Sequence, residues 1–544
     1  MKKRGLLISF VMMLLLSVAL VGCSSKESGG ESQEPAENKD NEEASGGEKV
    51  LVFGRGGDSV GLDPITVTDG ESFKVTKQIF DTLIDYGEQD TTIQPGLATE
   101  WKVSEDGLKY TLTLREGVKF HDGTDFNADA VVANFERWMN GSAEKFPYYV
   151  SMFGGFKGDE GHVIQDVKAV DPTTVEFTLK RPQAPFLKNL AMVPFGIASP
   201  TAFEKDGDKF TENPVGTGPF KFVEWKRNDR IIVEKNEEYW MDGYPKLDRV
   251  IYQAIPDNSA RLNALVTGEV DIVDGLNPSD NETIKSNEDL QEFLRPSMNV
   301  GYLGLTMKDP NSPLANKKVR QALNHAVDKQ GIIDAFYSGL AEPAKNPMPP
   351  SIQGYNDEIE PYEYDLDKAK SLLAEAGYPD GFKMELWAMP VPRPYMPDGR
   401  KTAEVMQASF AQIGVEAEIV SYEWATYLEK ARNGEADAFL LGWTGDNGDA
   451  DNFLYALLDK DAIGSNNYSY YSSDELHDVL IEAQSNPDPE KRKELYKKAQ
   501  EIIHEDAPWV PIVHSTPLLA GKSNVEGFVP HPTGTDKLTK VDLK

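Results

Sequence analysis

The sequence predicts an α/β protein built from two related lobes, and two observations carry that expectation. Strand-like and helix-like runs alternate from residue 49 to the C-terminus, the pattern of sheets covered by helices. A unit of amphipathic helix, Gly-Glu-x-Asp turn and strand occurs twice, over residues 261–272 and 427–443, once in each half of the chain. Cys23 is the only cysteine, so no intramolecular disulfide is available and apolar cores alone have to hold the fold. With 544 residues the chain is long enough for two or three domains.

At the N-terminus, Lys2, Lys3 and Arg4 precede an apolar run over residues 5–21, the order of an export signal. The run closes on Leu20-Val21-Gly22-Cys23, which resembles the bacterial lipobox, whose thiol takes a diacylglycerol thioether. Residues 1–22 are therefore expected as a removed signal peptide and Cys23 as the lipidated mature N-terminus. A transmembrane anchor with an incidental cysteine is the alternative, and the short run with small residues at the cleavage point fits it less well. Residues 24–48 are rich in Ser, Gly, Glu and Asn without an aliphatic stripe. They bury too little to offset the entropy of ordering and are expected as a flexible acidic tether.

Lys and Arg number 56 against 89 Asp and Glu, a formal net charge of −33. Loss of the three signal-peptide cations takes the mature chain to about −36, which disfavours nucleic acid and anionic lipid headgroups as partners. Beyond the signal run no segment is long and apolar enough to cross a bilayer.

Residues 110–115 and 174–179 alternate apolar and polar side chains, as half-buried antiparallel strands do. Val319, Ala322, Leu323, Ala326 and Ile333 form a helical stripe over residues 319–336, with Gly339 as its stop. Asp365 can cap another helix that carries Ala369, Leu372, Leu373 and Ala376 and ends at Gly377, ahead of Pro379.

The chemistry concentrates in residues 383–453. A strand over 383–389 runs into a loop stiffened by prolines at 390, 392, 394 and 397, with Arg393 in its middle. A second strand, over 438–443, runs into Thr444-Gly-Asp-Asn-Gly-Asp449, where two glycines permit tight turns and Asp446 is presented. Ligands of open α/β sheets bind beyond the carboxyl ends of the strands, where both loops emerge. A fixed guanidinium and a fixed carboxylate facing one cleft suit a zwitterion. Their separation would measure a short peptide, because an ion left unpaired on desolvation is costly. The competing reading is a structural ion pair between Arg393 and Asp446. Trp387, Tyr395, Tyr422, Trp424 and Trp443 crowd the same stretches, as aromatic walls of small-ligand pockets do, although any single one of them equally suits a core.

Residues 387–397 (Trp-Ala-Met-Pro-Val-Pro-Arg-Pro-Tyr-Met-Pro), Tyr422-Glu-Trp424 and residues 442–453 (Gly-Trp-Thr-Gly-Asp-Asn-Gly-Asp-Ala-Asp-Asn-Phe) resemble the dipeptide-binding proteins of bacterial ABC importers, within the family-5 solute-binding proteins. Residues 95–101, 118–123, 213–220, 318–323 and 514–516 carry the broader family likeness, which runs from about residue 49 to the C-terminus. The resemblance implies a two-lobed, type II periplasmic-binding-protein-like fold with an extra subdomain in the N-terminal lobe. That lobe would comprise residues 49–299 plus 511–544, with the subdomain at about 93–212, and the second lobe residues 300–510. It implies a monomeric, lipid-anchored extracytoplasmic receptor, not an enzyme, without a cofactor. Such a receptor hands a small peptide to permease subunits driven by cytoplasmic ATPases. In that setting Arg393 takes the peptide carboxylate and Asp446 the α-ammonium; Trp443, Gly445, Tyr395 and Trp424 line the cavity, and Thr68 and Gly70 contribute from the other lobe. Asp69 and Glu71 depart from the peptide-binding pattern, where neutral residues are usual. They either favour cationic ligand side chains or face solvent.

The seven histidines are scattered without metal-ligand spacing, and His121 reads as turn chemistry. No nucleophile elbow, Walker loop or dinucleotide fingerprint is present. Asp449 and Asp451 imitate part of a calcium loop but lack its distal glutamate. Other cargoes of the same scaffold (a longer peptide, glutathione, haem, a nickel chelate), an anchored peptidase and a peptide-sensing receptor stay open as alternatives.

Overall fold

The computed structural model describes residues 47–544. The expected signal peptide, Cys23 and nearly all of the tether lie outside them. No helix among the described residues is long and apolar enough to cross a membrane.

Val50–Arg55 forms the centre of a seven-stranded sheet. Arg249–Ala254 pairs with it in parallel on one side and Ile272–Val273 in parallel on the other. The helix Asn258–Val266 connects these two flanking strands. In the six-stranded sheet Lys383–Trp387 lies next to the edge and has the same pair of parallel neighbours. Glu416–Val420 and Ala438–Thr444 flank it in parallel, joined by the helix Trp424–Arg432. The two Gly-Glu-x-Asp segments are thus the turns that feed equivalent strands of two like-built sheets. Gly268 and Gly434 adopt positive φ, 80° and 66°, at the helix ends, the left-handed stop a side chain resists.

A four-stranded antiparallel sheet, Ala98–Val103, Lys109–Leu114, Thr174–Leu179 and Ile164–Asp171, carries its own core of Tyr110, Leu112, Phe135, Trp138, Phe177 and Phe186. The alternating strands read from the sequence are its two central ones, and their apolar faces are buried.

The chain crosses from the seven-stranded to the six-stranded sheet between Leu294 and Asn299 and returns between Ser515 and Leu518. Asn299 ties the crossings together: its Oδ1 accepts from the Ser515 N–H at 3.0 Å, and its Nδ2 donates to the Ser515 carbonyl at 2.9 Å. Residues 511–515, assigned from the sequence to the first lobe, belong instead to Trp509–Ser515 of the six-stranded sheet, paired with Asn299–Leu305. The apolar run there suits either buried sheet, so local pattern does not locate the return. The stripe over 319–336 likewise divides into two helices, Lys317–His325 and Lys329–Phe336. The Asp328 side chain accepts from the Gly331 N–H at 2.9 Å and starts the second helix. The Asp365 cap is present on Leu366–Glu375, where it accepts from the Lys368 N–H at 2.9 Å.

Candidate ligand-binding site

Because Lys383–Trp387 and Ala438–Thr444 run parallel and adjacent, their carboxyl ends deliver both loops to one edge of the six-stranded sheet. Arg393 and Met396 exchange backbone hydrogen bonds of 3.0 and 2.9 Å, so the proline-rich loop is pinned while the Arg393 side chain stays exposed. Its guanidinium donates to the Pro392 carbonyl at 3.2 Å and stands 5.6 Å from the Trp424 ring centroid. Tyr395 is buried. Its ring packs so closely on Gly442 that a Cβ there would approach Cδ2 to 2.2 Å. Arg393, Tyr395 and Trp424 are thereby gathered next to the strand that carries Trp443.

At the end of that strand the Gly445 N–H donates to the Met298 carbonyl at 2.8 Å, and Phe453 fills the space a side chain at Gly445 would need. Asn452 then organises the loop. Its Oδ1 accepts from the Trp443 indole at 3.1 Å and from the Asp446 N–H at 2.9 Å, and its Nδ2 donates to Asp446 Oδ2 at 3.1 Å. The other Asp446 oxygen accepts from the Tyr148 hydroxyl at 2.9 Å, and Tyr148 belongs to the opposite lobe. Among the described residues neither Asp446 nor Arg393 enters an ion pair. Burial pushes the Asp446 carboxyl up to about 6, with Asn452 and Tyr148 opposing and no cation in play. The structural ion pair between the two is therefore absent. A carboxylate in this state is receptive to an ammonium.

The loop after Asp446 docks on the first lobe. Lys188 donates to the Gly448 carbonyl at 2.7 Å, and Asn447 donates to Asn189 at 2.8 Å. Gly448, at φ 62°, passes so close to Thr91 that a Cβ would fall 1.8 Å from its hydroxyl. Asp449 and Asp451 do not form a cation loop: Asp449 holds Arg492 at 2.8 Å, and Asp451 accepts from Gln484 at 2.9 Å.

Thr68 and Gly70 are exposed at the start of the helix Gly70–Ile79, and neither is hydrogen-bonded to Asp446 or Arg393. That helix reaches the site through Phe73, whose ring meets Tyr148 edge-on at 5.6 Å. Asp69 caps it by accepting from the Ser72 N–H at 2.8 Å, and Glu71 pairs with Lys74 at 2.8 Å. The two departures from the family pattern thus have structural work at the helix start. Trp387 is core, packed on Tyr422 and Tyr427.

Sequence reading missed the cavity beyond Asp446. A cavity of about 40 Å³ is lined by the rings of Phe73, Tyr86 and Tyr148 and by Lys77, Asp85 and Lys537, with Asp446 at its wall. Tyr148 lies 298 residues from Asp446, and no spacing rule connects them. His531, which read as one of several scattered histidines, stacks on Tyr86 at 5.8 Å and bonds the Asp90 carbonyl at 3.0 Å. Away from the cavity, Asp459, Asp461 and His477 bring ligand-type atoms within 4.8 Å of one another. There His477 Nδ1 lies 3.0 Å from Asp459. The 18-residue separation hid that pairing.

Comparison with known proteins completes the description. The model of the bacterial extracellular solute-binding proteins, family 5, matches residues 92–465. A dipeptide-binding protein of Escherichia coli (strain K12) is 40% identical over 513 residues, 91% of this chain and 95% of that one. Heme-binding protein A of Haemophilus influenzae is 38% identical over 546 residues, 97% of each. A periplasmic binding protein of Helicobacter pylori solved with the peptide STSA superposes with a TM-score of 0.80 at 39% identity, covering 91% of this chain and 98% of the other.

Proposed function

The chain belongs to the bacterial extracellular solute-binding proteins of family 5, with their two-lobed type II periplasmic-binding-protein fold, and from that premise we propose that it captures dipeptides or short oligopeptides for an ABC importer. The observation that carries this reading is the pair of unmatched ions: a half-buried Asp446 carboxylate without a cation and an exposed Arg393 guanidinium without an anion, on neighbouring loops. The peptide ammonium joins Tyr148 and Asn452 at Asp446, and the peptide carboxylate meets Arg393 under Trp424. Tyr395, Trp443 and Gly445 shape the wall between them, while Thr68 and Gly70 edge the cleft from the other lobe. Closure follows because a ligand held between lobes favours whichever arrangement contacts it from both sides. The crossings near Asn299 and Ser515 serve as the hinge between a lobe of residues 49–298 plus the C-terminal tail and a lobe of 299–515. Cys23 tethers the monomer to the outer face of the membrane, where permease subunits and their ATPases receive the cargo.

Isothermal titration with Ala-Ala, N-acetyl-Ala-Ala and Ala-Ala amide tests the reading. Ala-Ala is expected to bind. Acetylation should weaken it more than amidation does, because Asp446 is half-buried and desolvated while Arg393 is exposed and a desolvated charge suffers more from losing its partner. Unchanged affinity on acetylation removes the Asp446 role. Haem, taken from the relative named for it, is the competing cargo, and an optical titration gives it a signal of its own. Peptide recovered intact after long incubation separates a receptor from a hydrolase.

The same carboxylate sets a pH dependence. Below about 6 Asp446 is protonated in the free protein, and an ammonium has to displace that proton. Affinity for Ala-Ala is expected to fall as the pH drops from 7.5 to 5. Near pH 6 binding should release a proton, visible as an enthalpy that changes with the ionisation heat of the buffer. Equal affinity at both pH values contradicts it.

A further inference from the structure

An α-carbon whose ammonium sits at Asp446 carries two substituents: the chain, which has to run toward Arg393, and one side chain. The cavity that Asp446 itself lines is the space left for that side chain. Its lining is not wholly apolar. Lys77 donates to Asp85 at 3.1 Å, and Lys537 donates to the other Asp85 oxygen at 2.5 Å and to the Tyr86 carbonyl at 3.4 Å. Each ammonium offers three donors, so among the described residues both retain hydrogens with no acceptor. One carboxylate, Asp85, serves two cations here. Asp81 stands behind it, outside the cavity lining, and accepts from Thr217 at 3.0 Å, Tyr239 at 3.2 Å and Trp240 at 3.0 Å. His531 is bound to Thr533 and the Asp90 carbonyl and offers no free ring nitrogen.

Resting on the peptide-receptor reading above, we propose that this cavity receives the side chain of the amino-terminal residue and that Lys77 and Lys537 select a carboxylate there, so that peptides led by glutamate or aspartate are the preferred cargo. The aromatic walls of Phe73, Tyr86 and Tyr148 hold the methylene stem, and the two lysines supply the donors an anionic head requires.

Titration of the full mature protein with Glu-Ala, Gln-Ala, Ala-Glu and Ala-Ala decides the matter, since glutamate and glutamine differ there only in charge. Glu-Ala is expected to bind about tenfold tighter than Gln-Ala, the strength of one added charge-assisted hydrogen bond. Ala-Glu should show no such gain over Ala-Ala. In Lys537→Met and in Lys77→Met the ratio of Glu-Ala to Gln-Ala should collapse toward one. The ratio is read within each variant, so a general loss of affinity does not mimic the effect. Equal binding of Glu-Ala and Gln-Ala to the wild type overturns the inference, as does a ratio that survives in both variants. Those results leave the receptor reading standing so long as Ala-Ala binds; failure of every dipeptide to bind overturns both.

Discussion

Asp446→Asn is expected to weaken Ala-Ala binding by about 2–5 kcal/mol, roughly 30-fold to several thousand-fold, the range for removing one partner of a buried charge pair. The substitution keeps the shape of the side chain. The amide oxygen can still accept from Asn452 Nδ2 while the amide nitrogen donates to the Tyr148 hydroxyl oxygen, and the loop remains framed by Asn452, Met298 and Lys188. What disappears is the negative charge that an ammonium would otherwise find within a desolvated cleft. N-acetylated Ala-Ala, which brings no ammonium, should lose little between wild type and variant, so the two ligands form a cycle that isolates the charge. Stability should move the other way. Asp446 has a folded-state value of about 6 against an ordinary value of 3.8. The stability it contributes is therefore full below the ordinary value and lost as the pH rises through 6. At pH 7.5 the wild type carries a desolvated carboxylate with no cation beside it, which the variant lacks, and the unliganded variant is expected to melt higher. Retained dipeptide affinity, or a lower melting temperature without ligand at that pH, counts against the assignment.

How far the sequence reaches can be judged from particular residues. Asp365, Gly268 and Gly434 were legible because capping and left-handed stops depend on a few neighbouring residues. The two loops bearing Arg393 and Asp446 were legible because each follows a strand in an unbroken segment, and the register of those strands carries both to one edge. Asp328 was not seen as a cap inside the stripe at 319–336, since the apolar spacing continues across it and only the Gly331 contact reveals the break. The return at 516–517 was misplaced for a related reason: a strand buried on both faces has no periodicity to say which sheet it joins. Least legible were Tyr148, Lys77, Asp85 and Lys537, which meet Asp446 or one another only through tertiary packing. Lys537 and Asp85 lie 452 residues apart, and each alone reads as an ordinary surface charge. Asp449 shows where local pattern excludes a role without supplying the real one. Beside Asp446 and Asp451 it imitates a cation loop, whereas its oxygens serve a guanidinium from a distant helix.

That guanidinium carries the second large effect. Arg492→Met is expected to destabilise the protein by about 3–5 kcal/mol, as breaking a buried pair by removing one partner does. Arg492 holds both oxygens of Asp449, at 2.8 and 3.2 Å, and also donates to the Tyr496 hydroxyl at 2.9 Å and the Ala483 carbonyl at 2.9 Å. Without it Asp449, 4% exposed, keeps the Asp451 N–H at 3.1 Å and the Tyr496 hydroxyl at 3.3 Å, and its remaining cation among the described residues is Lys188 at 3.9 Å. Since Asp449 closes the loop that presents Asp446, the variant should also bind Ala-Ala more weakly. Adding Asp449→Asn removes the stranded charge, so the double variant should recover most of the stability in thermal and denaturant unfolding. If single and double variants lose equally, the loss belongs to packing of the arginine stem on Tyr496 and not to the charge. The pH profile separates the two independently. Against burial, Arg492 and Lys188 hold Asp449 below the usual carboxylate range in the wild type. That contribution is present above the ordinary value of 3.8 and is lost as the pH falls through the lower folded value. With the guanidinium gone, burial acts on Asp449 with little opposition and raises it, so the variant gains stability from protonation where the wild type loses it. The deficit between them should therefore narrow as the solution is acidified, whereas a packing defect would stay constant.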